Sequence, residues 1–183
     1  RIEIHIVQLP VGLPLLIVTG DAQPLTPAGQ FELSTRLLEI FAEANSEIMF
    51  ILAGLAAEVE DDSVHLVCSD EDTRGAFKAR GIEASNEAPE AGMIGMAGLL
   101  ASMAPIHSLT SACIVAETLG STVDVITGQR IANWIEEYLG IPLAISVDTT
   151  EKTADRIRKE VAMDTSELDS LFEKSEPSPE FYV

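Results

Sequence analysis

Apolar residues along this chain switch repeatedly between a strand period and a helix period. Ile2 to Leu9 (IEIHIVQL) alternates apolar and polar positions, which predicts a half-buried strand. Pro14 to Gly20 (PLLIVTG) is continuously apolar and β-branched, which predicts a central strand. The intervening PVGLP is a turn, so the two strands are predicted to form an antiparallel hairpin. Next comes TPAGQFELSTRLLEIFAEAN, a helix pattern with Thr26 as N-cap, Pro27 at the first helical position and a stripe of Phe31, Leu37, Leu38 and Phe41. Glu47 to Gly54 (EIMFILAG) and Val64 to Asp70 (VHLVCSD) read as buried strands. Asp70 to Arg80 carries helix signals, and Gly92 to Ala104 (GMIGMAGLLASMA) reads as a glycine-rich helix. Ser111 to Thr118 (SACIVAET) is a fifth strand. Asp124 to Gly140 is a helix, opened near Asp124 and closed by Gly140 as the residue just past its end.

Strand and helix alternation of this kind predicts an α/β domain with a mostly parallel sheet, helices on both faces and the hairpin at one end. This domain is expected over residues 1–147. Residues 148–163 read as an amphipathic, mixed-charge helix within a C-terminal helical segment, 148–174. Residues 164–183 hold six acidic residues against Lys174 alone, and the last nine, 175–183, read as a flexible tail with Pro177 and Pro179 as spacer. The sequence starts at Arg1 rather than Met, so residues upstream of it are expected.

Charge narrows the partners. The formal net charge is −19, with 30 acidic residues against 11 basic ones. Nucleic acid and anionic membrane surfaces both need basic patches, so neither is expected, whereas a basic protein partner is permitted. No apolar run reaches the ~20 residues of a membrane span. Cys68 and Cys113 each sit in an apolar strand run and are expected as buried small side chains in a reducing, cytoplasmic setting, with a disulfide or thiol chemistry as the alternative.

Candidate chemistry is sparse. Glycines 92, 95 and 98 do not have dinucleotide-fingerprint spacing, and no Walker loop or G-x-S-x-G occurs. His5, His65 and His107 lack ligand spacing, so no metal and no cofactor is expected. The most site-like residues lie at strand ends, in TGDAQP and AETLG. Ligands of open α/β sheets collect outside the carboxyl ends of strands, so Asp21, Gln23, Glu117 and Asp124 form a candidate pocket. Two carboxylates there would bind a cation or act as acid and base. Helix caps and loop contacts are the structural alternative.

The end of the chain is less ordinary. Phe181 and Tyr182 put two aromatic rings at the tip of an acidic spacer, followed only by Val183. A terminus that frays has little use for large apolar side chains unless they fold back or dock elsewhere.

Three pieces of the sequence resemble the PAC2 family, the proteasome assembly chaperones and their archaeal relatives. They are LLIVTGDAQPLTPAGQFELSTRLLEIFAE with the IMFILAGL that follows, the GxxGxxGLL helix and ACIVAETLG with the DVITGQRIANWIEEYLGI that follows. The resemblance covers roughly residues 14–145. It implies a fold like that of the purine nucleoside phosphorylases, with no established catalytic centre. It also implies a further N-terminal strand and a glycine-rich turn, which this sequence lacks. Phe181-Tyr182-Val183 matches a hydrophobic-tyrosine-any motif that proteasome activators and some archaeal family members dock between subunits of the 20S α-ring. The expected function is therefore a non-enzymatic proteasome assembly chaperone or activator, homo-oligomeric, with 20S α-subunits as partners. Two alternatives stand beside it: an enzyme of nucleoside phosphorylase or hydrolase type using the strand-end pocket, and a structural homo-oligomer with no proteasome link.

Overall fold

The computed structural model describes residues 1–12, 14–56, 63–84, 95–118, 124–143 and 145, with Lys152 and Arg156. Among the described residues, five strands and four α-helices follow the order β1 (Ile2–Val7), β2 (Leu15–Gly20), α1 (Pro27–Glu43), β3 (Met49–Ala56), β4 (Val64–Cys68), α2 (Glu71–Ala79), α3 (Met96–Met103), β5 (Ser111–Thr118) and α4 (Val125–Trp134). A π-helical turn, Ile135–Leu139, extends α4, and Gly140 ends it in the left-handed region at φ 69°. The predicted C-terminal helix of 148–174 and the tail lie outside the described residues, Lys152 and Arg156 apart.

The main sheet has the order β3-β5-β4. The central strand β5 is buried from Ser111 to Ala116, which is why its sequence is a continuous run of small and apolar residues. Strand alternation sorts its side chains into two cores. Ala112, Ile114 and Ala116 pack with Leu66, Phe77 and Ile131, under α2 and α4. Cys113 and Val115 pack with Leu38, Met49 and Ala104, on the side of α1 and α3. The result is three layers, with helices on both faces.

The start of α1 follows its sequence signals. The Thr26 hydroxyl accepts a hydrogen bond from the Gly29 N–H at 3.1 Å, and Pro27 occupies the first turn, where its missing N–H costs nothing. Leu37 and Leu38 are buried, whereas Phe31 of the predicted stripe is exposed.

The sheet is not mostly parallel as expected. β3 and β5 are parallel, but β4 and β5 are antiparallel, as are β1 and β2. The reason lies in connection lengths. A parallel return needs a crossover of a dozen or more residues. Only residues 57–63 separate β3 from β4, so β4 runs opposite to β3 and therefore to its neighbour β5.

The hairpin forms as predicted, with Ile2 opposite Gly20 and Val7 opposite Leu15. Its surroundings differ from the expectation. β2 is not a central strand, because among the described residues it pairs only with β1. Nor is β1 half-buried on its apolar face: Ile2, Ile4 and Ile6 are all exposed, Ile6 to 76%. Their cross-strand partners Leu16 and Val18 complete an apolar face. A continuous apolar run reports that both faces want cover, and it does not report which element supplies that cover.

The two cysteines are free and buried. Val67 pairs with Cys113 and Cys68 with Ala112, so the two thiols sit one residue apart in register and point to opposite faces of the sheet. They cannot meet to form a disulfide. Burial pushes both thiols up to about 11, with the Asp70 carboxylate adding to the effect at Cys68. Neither is expected to react with a disulfide reagent at neutral pH in the folded protein, and both are expected to react after urea unfolding. Rapid labelling of the folded chain would contradict this placement.

Candidate functional site

The four strand-end residues occupy four separate places. Asp21 stands at the end of β2 with its side chain 85% exposed. Gln23 reaches across to α3, where its Oε1 accepts a hydrogen bond from the Met96 N–H at 3.1 Å. It thereby supplies the cap that Gly95, with no side chain and a φ of 75°, cannot. A Cβ at Gly95 would come within 2.6 Å of that same oxygen, so the glycine leaves the room that the cap occupies.

Glu117 and Asp124 lie closer in sequence but belong to different faces. Alternation along β5 directs Glu117 to the α1 and α3 side and Thr118 to the α4 side. The Glu117 carboxylate lies 3.9 Å from Nε2 of His65 on β4. Its backbone carbonyl accepts from Arg130 at 3.2 Å.

Asp124 is the N-cap of α4. One oxygen accepts from the Thr127 N–H at 2.9 Å. The other accepts from the hydroxyls of Thr127, at 2.5 Å, and Thr118, at 2.8 Å. Asp70 caps α2 by the same device, taking the Thr73 N–H and hydroxyl, both at 2.7 Å. The shared signal is Asp-x-x-Thr, which the sequence carries at both helix starts. Burial works against ionisation of Asp124, but the hydrogen bonds from Thr127 and Thr118 outweigh it and hold the carboxyl below its ordinary value.

That direction fixes a pH dependence. A carboxyl whose pKa is depressed by folding contributes stability that is present above its unfolded value. The contribution is lost as pH falls through the folded one. Asp124→Ala is expected to cost about 1 kcal/mol near neutrality, the usual value of an N-cap. The gap between variant and parent should narrow as pH falls below the ordinary range of an aspartate carboxyl. Thermal unfolding across that range checks it, and a gap that stays constant would contradict the carboxylate's role.

A groove of about 430 Å³ opens between β3 and α4. Leu52, Gly54 and Ile131 form its apolar walls, with Thr118, Asp124 and Thr127 at its polar end. Of the four strand-end residues only Asp124 lines it. Sequence reasoning missed Thr118, Thr127 and Gly128, whose place follows from the cap of α4. Among the described residues, no group of three or more His, Cys, Asp or Glu is placed to hold a metal ion. No helix among them is long and apolar enough to cross a membrane. Phe181, Tyr182 and Val183 lie outside the described residues.

A family model described as the PAC2 family matches residues 1–163. The chain belongs to the PAC2 family. Solved structures agree with that assignment at the level of fold. Pyrococcus furiosus PbaB, described as an archaeal proteasome activator, superposes with a TM-score of 0.69 at 21% identity, covering 90% of this chain and 71% of that one. P. furiosus PbaA, described as an archaeal homolog of proteasome-assembly chaperone, gives 0.66 at 20% identity over 86% of this chain and 70% of that one. The Mycobacterium tuberculosis proteasome-assembly chaperone homologue Rv2125 gives 0.62 at 15% identity over 88% and 67%. An uncharacterized protein of Methanocaldococcus jannaschii is 22% identical over 142 residues, 77% of this chain. This PAC2 chain spans about half the length of that relative, 54%.

Proposed function

We propose that this PAC2 protein is a non-enzymatic, cytoplasmic proteasome assembly chaperone or activator. It docks its C-terminal tail between α-subunits of the 20S proteasome. The observation that carries the reading is the terminal sequence Phe181-Tyr182-Val183 on a PAC2 chain. Relatives described as a proteasome activator and as a proteasome-assembly chaperone homolog support it. In this reading residues 1–147 are the α/β body, with the nucleoside-phosphorylase-like arrangement of the family. Residues 148–174 form a helical connection and 175–183 the docking tail. An extended nine-residue tail reaches about 30 Å, enough to separate the body from the ring it binds. The test is a pull-down of 20S α-subunits with intact protein and with protein trimmed of residues 175–183. Capture by the intact protein alone supports the reading, and equal capture by both overturns it.

The same protein is proposed to be a homo-oligomer, because several tails on one particle would bind with avidity. The apolar hairpin face of Ile2, Ile4 and Ile6 favours this. A two-stranded hairpin is marginal in water unless its apolar face is covered. Light scattering at micromolar concentration should give a mass above one chain, and a monomer would contradict the proposal. The enzyme alternative rests on the strand-end carboxylates. Asp124 is engaged as a helix cap and Glu117 faces the other side of the sheet, so the geometry does not favour it. The structural-oligomer alternative predicts no α-subunit capture in the pull-down.

A further inference from the structure

We draw no further inference here: the strongest candidate, the outer edge of β3 with the groove between it and α4, has the form of a docking surface, but nothing in the structure shows what covers it.

Discussion

Replacing Ile114 by alanine is expected to cost roughly 3 kcal/mol of stability, within the usual range for truncating a fully buried aliphatic side chain. Ile114 has no exposed surface and lies at the middle of the central strand. Leu52 of β3 and Leu66 of β4 flank it in register on either side. Ile131 of α4 and Phe77 of α2 belong to the same core. The cavity left by truncation is therefore walled by side chains of β4, α2 and α4, and none can close it without moving the others. Domains are stable by about 5–15 kcal/mol, so the loss is a large share of the total. For a chain of this size it corresponds to a fall in Tm on the order of 10 °C. Ile126→Ala is the control: Ile126 is 65% exposed on α4, and its truncation should change stability by less than about 0.5 kcal/mol. Urea unfolding of the two variants and the parent checks the contrast. Similar losses for both would contradict the placement of the core under β5.

The contrast between these two isoleucines also marks what could be read from the sequence. Ile114 sits in SACIVAET, whose unbroken apolar run predicts a strand covered on both faces, and the fold places it so. Thr26-Pro27 and Gly140 marked a helix start and a helix end for local reasons, through a side-chain cap and a left-handed backbone, and both hold. Strand direction was legible only in part. The short connection of 57–63 was visible in the sequence, yet the alternation of elements suggested a mostly parallel sheet beyond the antiparallel hairpin. The candidate pocket shows a second limit. Gln23 and Asp124 follow strands in the sequence, but a carboxylate or amide in such a loop serves equally well as a helix cap, and only the partner atom distinguishes the roles. For Asp124 the partner is Thr127, three residues on, and the Asp-x-x-Thr spacing carried that information. For Gln23 the partner is the N–H of Met96, which lies 73 residues away and could not be inferred from local pattern.

Tyr182→Ala is expected to weaken binding to the 20S α-ring by about 2 kcal/mol per engaged tail, or roughly thirtyfold, the scale of a buried aromatic anchor. The proposed tail must be ordered on binding, which opposes association. A tyrosine offsets this well, with a large rigid ring, few rotatable bonds and a hydroxyl for one directed hydrogen bond. Tyr182→Phe keeps the ring and loses that bond, so its cost should be about 1 kcal/mol. With several tails engaged, the per-tail losses multiply through avidity, and the observed defect should exceed the single-tail value. A tail folded onto its own body would give a different result. Tyr182→Ala would then lower the Tm of the free protein, whereas a docking tail leaves it unchanged. Equal α-ring affinity for the parent and Tyr182→Ala would remove the anchor from the account.

Stimulation of 20S peptide hydrolysis by a protein carrying one added residue after Val183 tests the docking mechanism most directly. The extension keeps Phe181, Tyr182 and Val183 in place, and it moves the terminal carboxylate one residue away from any basic group that captures it. Docking through the carboxylate predicts a defect nearly as large as that of Tyr182→Ala, with an unchanged Tm. A tail that binds only through apolar contact would tolerate the added residue. Equal stimulation by the parent and the extended protein would contradict the proposed mode of docking.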